Sequence, residues 1–189
     1  MEDIVIIGYG GHAKSVADCI ERSQKYRIVG YTDLCEQRSY YDYLGTDDAL
    51  DIVFKKGVKK AVVGIGYLGK DSIRGTLYRK LKNIGFELPV IIDPSAIVSQ
   101  GVSIGEGTIV GKNAVINSES VIGKMAIINT GAIIEHECVI GDYVHVAVGT
   151  VVCGQVMIGE GTFIGANSTI IQCQNVAPKS IIPAGMVIR

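Results

Sequence analysis

The sequence predicts a small α/β unit over residues 1–88, half of a doubly wound Rossmann-type fold, followed by an all-β parallel β-helix over residues 89–189. Three observations carry this. Strand-like and helix-like segments alternate through the first part of the chain. The glycine-rich turn GYGGHA (8 to 13) joins the first strand to the first helix. From Ile92 to Ile188, every sixth residue is Ile or Val.

In the first unit, DIVIIG (3 to 8) is a short β-branched run that stops at glycine. HAKSVADCIERS (12 to 23) has helical spacing, with Val16, Ala17 and Ile20 on one side. RIVGYTD (27 to 33) and KAVVGI (60 to 65) read as further strands. DSIRGTLYRKLKNIG (71 to 85) reads as an amphipathic helix with Ile73, Leu77, Leu81 and Ile84 as its stripe and Gly85 past its end. Strand and helix in alternation imply a parallel sheet with right-handed crossovers.

From residue 92 a hexad takes over. The residue after each Ile or Val of the six-step is often Gly or Asn, as at Gly105, Gly123, Asn129 and Gly141. Four residues after each, small side chains recur, among them Ala96, Thr108, Ala114, Ser120, Cys138, Thr150 and Ser168. Such a repeat makes one short strand and one turn per hexad, and three hexads close a triangular coil. The aliphatic residue points inward and stacks from coil to coil, and Gly and Asn are expected at the corners. The repeat has no insertion, so any chemistry must come from coil surfaces and from a neighbouring copy. Flat apolar coil faces favour oligomers, and a homotrimer with sites between subunits is the expected assembly.

Bulk properties remove several function classes. Apolar residues make up 48% of the chain and the net charge is −1, which gives no electrostatic footprint for nucleic acid or an anionic membrane. The opening MEDIVIIGYGG lacks the basic start of a secretory leader, and no apolar run approaches a membrane span. Five cysteines, scattered and never in a CxxC pair, suggest reduced thiols in a soluble cytoplasmic protein.

The glycine turn fits G-x-G-x-x-G/A through Gly8, Gly10 and Ala13, with Gly11 and His12 inside it and Asp33 ending the next strand. Glycines let a phosphate approach the backbone, and the helix start offers free N–H groups and positive potential. One half-sheet suits a sugar nucleotide better than NAD. His12 stands where a group attached to the diphosphate would meet an imidazole, and Lys14 and Lys70 are read as solvated charges.

Two of the chain's three histidines, His136 and His145, fall in IIEHECVIGDYVHVAVG (133 to 149). The hexad frame points both side chains outward. A zinc site at a subunit boundary needs three histidines and this stretch has two, so no metal is expected. Cys138 falls on an inward position, where a thiol is inert. General base catalysis remains, with Glu135 or Glu137 holding the ring's other nitrogen.

IIGYGGHAKSVAD, GYTD and NTGAIIEHECVIGDYVHVAVGTVVCGQVMIGEGTFIGANSTI together resemble the sialic acid O-acetyltransferase and amino-sugar N-acetyltransferase family. The resemblance covers almost the whole chain. It implies that the α/β unit binds a nucleotide sugar and that a left-handed β-helix trimerises and binds acetyl-CoA between adjacent subunits. It assigns the base to His136 with Glu137 as companion, and support to Asn129. It places His145 by the CoA pantetheine arm, Gly154 in the CoA groove, and Ala166 where some relatives carry a bulky residue. Gly8, Gly10, Gly11 and His12 form the nucleotide-sugar loop, with Asp33 at the nucleoside end and Gly66 closing the pocket.

The leading expectation is acetyl transfer from acetyl-CoA, a co-substrate, to the amine of a UDP-, dTDP- or GDP-linked 4-amino sugar for a surface glycan. The alternatives are O-acetylation of a sialic acid or related sugar, and a non-catalytic nucleotide-sugar scaffold.

Overall fold

The computed structural model describes residues 1–68 and 73–189. Contacts group them into two compact units: Met1–Gly66 with Ile73–Pro89, and Val90–Arg189 together with Tyr67 and Leu68.

In the first unit a parallel sheet of three strands, β1 (Glu2–Ile7), β2 (Tyr26–Thr32) and β3 (Lys60–Val63), has the order β2-β1-β3. β1 is central, so Ile4, Val5, Ile6 and Ile7 are all fully buried, as befits an apolar run covered on both faces. Helix α1 (Gly11–Ser23) buries Ala13, Val16, Ala17 and Ile20, the spacing of one helical face. It ends at Gln24 in the left-handed region. Helix α2 (Leu50–Lys55) has no counterpart in the sequence reading, and helix α3 (Arg74–Ile84) closes on Gly85 at φ 110°.

The expected stripe of α3 needs one correction. Leu77 and Leu81 are buried, but Ile73 is 55% exposed and Arg74 is buried in its place. Ile73 precedes the first helical turn and so lies off the helix face. The guanidinium of Arg74 is drawn inward because its Nη1 donates to the Ile65 carbonyl. Lys70, Asp71 and Ser72 lie outside the described residues.

The second unit is a left-handed parallel β-helix of three sheets with six, six and five short strands. Each residue pairs with the one 18 positions on, as Ile127 with His145 and Ile133 with Val151. Val110, Ile116, Ile122, Ile128, Ile134, Ile140, Val146, Val152, Ile158, Ile164, Ile170 and Ile182 form the inner core. The small inward residues do more than fill space. Thr108 Oγ1 donates to Gly123 O at 2.7 Å and accepts from Ala126 N–H at 2.9 Å, so a buried hydroxyl bridges two coils. Ser120 does the same between Glu135 O and Cys138 N–H. Cys138 occupies such a slot, its thiol donating to Cys153 O at 3.1 Å.

The corners differ from expectation. The left-handed residue stands three places after the inward Ile or Val, at Gly101, Glu119, Glu137, Gln155 and Cys173 on one corner, and it is frequently not glycine. The glycines immediately after the inward residue meet a different demand. A Cβ on Gly105 would lie 2.4 Å from Lys124 N in the next coil. Close packing of coil on coil, and not positive φ, selects glycine there.

Ile134 is fully buried in this stack. Ile134→Ala is expected to cost about 2–5 kcal/mol, read as a lower urea midpoint with an unchanged slope.

Candidate active site

In the α/β unit the glycine turn is fixed from both sides. Gly8 has φ 78°, and a Cβ there would lie 2.5 Å from Ile65 Cγ1, so both conformation and space demand glycine. Gly8 N–H bonds to Thr32 O, which ties the turn to β2. Gly10 is the N-cap of α1, and neither it nor Gly11 would meet anything within 4 Å of an added Cβ. The backbone of the turn is thus open to a ligand at the helix start, where the first N–H groups have no partner within the helix. Gly66 lies against His12, its added Cβ 3.6 Å from His12 Cβ. Gly64, which the sequence reading passed over, packs so closely that its Cβ would lie 2.6 Å from Gly8 O.

Asp33 takes a more structural part than the sequence suggested. Its Oδ2 accepts Tyr9 N–H at 2.8 Å and its Oδ1 accepts Leu34 N–H at 2.7 Å. The carboxylate therefore clamps the glycine turn while lining a cavity of about 410 Å³ with Gly8, Thr46, Asp47, Asp48 and Ile65. Asp47 is itself held by Thr32, whose Oγ1 donates to it at 2.7 Å. Lys14, read as a solvated charge, lines a separate cavity of about 520 Å³ with Tyr9, Glu21, Arg38, Tyr40 and Tyr41.

On the coils, His136 stands on an exposed corner as expected. Its Nδ1 lies 3.0 Å from Glu137 Oε2. An ionised carboxylate only accepts, so Nδ1 carries the proton and Nε2 holds the lone pair. Glu137 is ionised because the His136 bond, and then the Gln155 amide at 3.1 Å, hold its carboxyl below the usual carboxylate range. Gly154, one coil further on, is the reason the imidazole has room. A Cβ at 154 would lie 2.6 Å from His136 Nε2. Gly154 therefore belongs to the base itself, a placement the resemblance to a CoA groove does not convey.

The exposed position expected for His145 is corrected. Its side chain points outward from its strand, yet it is only 5% exposed. Nδ1 donates to Tyr67 O at 2.5 Å, and Nε2 accepts from Asn129 Nδ2 at 3.1 Å. The Phe163 ring packs edge-on against it. Asn129 Oδ1 accepts Thr130 N–H, which fixes the amide so that nitrogen faces the ring. His145 is thus a buried neutral imidazole of one tautomer. Asn129 supports it directly, as its expected role requires.

These residues form two groups. His136, Glu137 and Gly154 share the corner that follows the strands Ile133–Ile134 and Val151–Val152. Asn129 and Ala166 lie at the corner after Ile127–Ile128 and Phe163–Ile164, in the sheet that also carries His145. One flat side of the triangle, roughly 15–20 Å of extended chain, separates the corners. Cys138 is fully buried and burial pushes its thiol pKa up, so it stays protonated at neutral pH. Among the described residues, no group of three or more His, Cys, Asp or Glu is arranged to hold a metal ion. No described helix is long and apolar enough to cross a membrane.

Two outcomes follow from this packing. Gly154→Ala is expected to displace the His136 ring, seen as shifted imidazole resonances in a protein whose melting temperature stays within a few degrees of wild type. Iodoacetamide on the folded protein should label exposed Cys35 and Cys173 and spare buried Cys19 and Cys138, read by peptide mass mapping.

Comparison with known proteins agrees with this architecture. Residues 3–81 match the family model of the PglD N-terminal domain. PerB, the perosamine N-acetyltransferase of Caulobacter crescentus, has been solved with CoA and GDP-perosamine; it is 34% identical, with 100% of this chain and 89% of that one covered and a TM-score of 0.94. Two of its structures carry one histidine changed to Asn or to Ala. The acetyltransferase domain of PglB from Neisseria gonorrhoeae is 31% identical, covering 100% of this chain and 92% of that one with a TM-score of 0.92. A curated relative, UDP-N-acetylbacillosamine N-acetyltransferase of Bacillus subtilis, is 30% identical over 115 residues. That stretch is 58% of this chain and 51% of the relative, about half its length. With these likenesses across both units, the chain belongs to the PglD-like sugar-nucleotide N-acetyltransferase family of hexapeptide-repeat acyltransferases.

Proposed function

We propose that this protein transfers the acetyl group of acetyl-CoA to the amine of a nucleotide-linked amino sugar, with His136 as general base. The observation that carries the reading is the pairing of His136 Nδ1 with Glu137 at 3.0 Å, while Gly154 leaves Nε2 uncrowded. The named activities of the family members, N-acetyltransferases of amino sugars, support it.

The acceptor sits in the α/β unit. Its diphosphate lies against the backbone at Gly8, Gly10 and Gly11 and the start of α1, with the attached sugar towards His12 and Gly66. Asp33 lies at the nucleoside end, its remaining lone pairs available to a hydroxyl donor. The amine attacks the thioester carbonyl, a C–N bond forms, and His136 Nε2 takes the proton the nitrogen sheds. The imidazolium is stabilised by Glu137. Collapse of the tetrahedral intermediate breaks the C–S bond, and the sulfur leaves as CoA thiol with a proton returned from His136. Backbone N–H groups of coil turns serve the oxyanion. The route needs neither a metal nor a covalent enzyme intermediate.

We further place acetyl-CoA between copies of the chain in a homotrimer. Gly154 and Ala166 stand at different corners of one coil stack, so a continuous CoA groove that uses both corner types draws them from two subunits. Val121, Val139 and Met157 rise one above another on one outer face, 46%, 41% and 52% exposed, an apolar strip suited to burial against a second copy. His145, buried and bonded to Asn129 and Tyr67, shapes the wall beside the pantetheine arm. The reaction belongs in the cytoplasm, where acetyl-CoA and nucleotide sugars are made, and its product serves a surface glycan.

CoA release from acetyl-CoA, measured with a panel of UDP-, dTDP- and GDP-4-amino sugars, tests the reading. Release with one acceptor, reduced by about 10²–10⁴-fold in His136→Ala, is the expected result. An undiminished His136→Ala rate would overturn it, and an alkali-labile product would show an ester and hence an O-acetyltransferase. Activity should fall on acidification as Nε2 is protonated. Glu137 stays ionised throughout, because its carboxyl lies below the usual range and loses its charge only at more acid pH. Sedimentation should give three times the 20.1 kDa chain.

A further inference from the structure

The corner that carries His136 has a second layer of polar contacts. Glu119, Glu137, Gln155 and Cys173 are all non-glycine residues at positive φ, spaced by one coil and stacked at the same corner position. Gln155 Nε2 donates at 3.1 Å to Glu137 Oε2, the same oxygen that faces His136 Nδ1. Gln155 Oε1 in turn lies 3.5 Å from Cys173 Sγ, which donates to it. The direction of the column is set by chemistry. A carboxylate accepts only, so the amide nitrogen of Gln155 must face Glu137, and its oxygen must then face the thiol donor.

This column answers a problem that Glu137 poses alone. Its side chain is 47% exposed and that of His136 57% exposed. A solvated surface pair of this kind contributes little and leaves a long side chain free to rotate. A donor held one coil above removes that freedom.

We propose that Gln155 is a positioning residue for His136: its amide holds the Glu137 carboxylate against Nδ1 and thereby keeps the lone pair on Nε2. This rests on the base role given above to His136. Gln155 touches no substrate in this scheme and acts through Glu137. The other titratable groups of this corner are Glu119 one coil below, Glu135 and Cys153 beside the turn, and Cys173 above; Cys173 alone among these contacts the Gln155 amide.

The test is spectroscopic, so it does not depend on finding the acceptor. In full-length protein labelled with ¹⁵N-histidine, long-range ¹H–¹⁵N spectra at a pH where the rings are neutral report the tautomer of each of the three histidines. His136 is assigned by its loss in His136→Asn. Wild-type His136 should show a protonated Nδ1. In Gln155→Met the His136 signals should move towards the Nε2-protonated form, while those of His145, fixed by Tyr67 and Asn129, stay in place. Methionine suits the backbone of this position, since Met125 holds φ 55° at the equivalent place on another corner. Gln155→Glu sets a carboxylate against Glu137 and should shift the tautomer in the same direction. Turnover in Gln155→Met should fall about tenfold, a part of the 10²–10⁴ that a general base supplies, with KM for acetyl-CoA within twofold of wild type.

An unmoved His136 tautomer in both variants overturns the proposal, even if His136-dependent acetyl transfer is found. A shifted tautomer upholds it, even if the transfer reaction itself is not.

Discussion

Everything in the second unit depends on one constraint, the hydrogen bonding of each coil to the next with an offset of 18 residues. This offset makes the sequence a set of vertical columns. An inward column is aliphatic, the column four places on is small, and the column just after the aliphatic residue is held to glycine wherever the next coil comes too close for a Cβ. The site is also built of columns. Gly154 lies directly above His136, Gln155 above Glu137, and Cys173 above Gln155. A side chain in this fold is oriented chiefly by residues 18 away, and only secondarily by its chain neighbours.

The α/β unit is held together differently. Its glycine turn depends on a long-range clamp, in which the acid at the end of β2 takes the Tyr9 N–H at the end of β1. Gly64 lets β3 press against the same turn. Three strand ends thus meet at one point, and the open backbone at Gly10 and Gly11 is what they leave uncovered. The acid that a dinucleotide fingerprint associates with ribose here has a prior engagement with the protein itself, so any ligand hydroxyl must share it.

The fold was readable because its strongest signals are compositional. Unbroken Ile and Val at a six-residue step leave no other architecture, and glycines between a β-branched run and a helical pattern mark the turn. Other features carried no such mark. The left-handed corner residue is Gly, Asn, Glu, Gln, Tyr, Met, Lys or Cys, so no residue type announces it. α2 is only six residues long, too short for a periodicity. The burial of His145 depends on Tyr67, 78 residues away in sequence, and no local pattern encodes that contact. The role of Gly154 was in principle visible, since it is His136 plus one coil, but only to a reading that already possessed the 18-residue offset. Ile73 continued an amphipathic stripe on paper, and the helix started one residue too late to use it.

The same offset restricts how such a chain can change length. One residue inserted anywhere in the coils would turn inward aliphatics outward in everything that follows, and six would move His136 to a different corner from the one that Gly154 and Gln155 occupy. Only whole coils can be added or lost below or above this group without breaking it. Variation in length along this architecture should therefore come in steps of a full coil, or be expelled from the stack as a loop at a corner. The reacting group is in effect indexed by coil number, and drift in the residues that surround it is free while that index is kept.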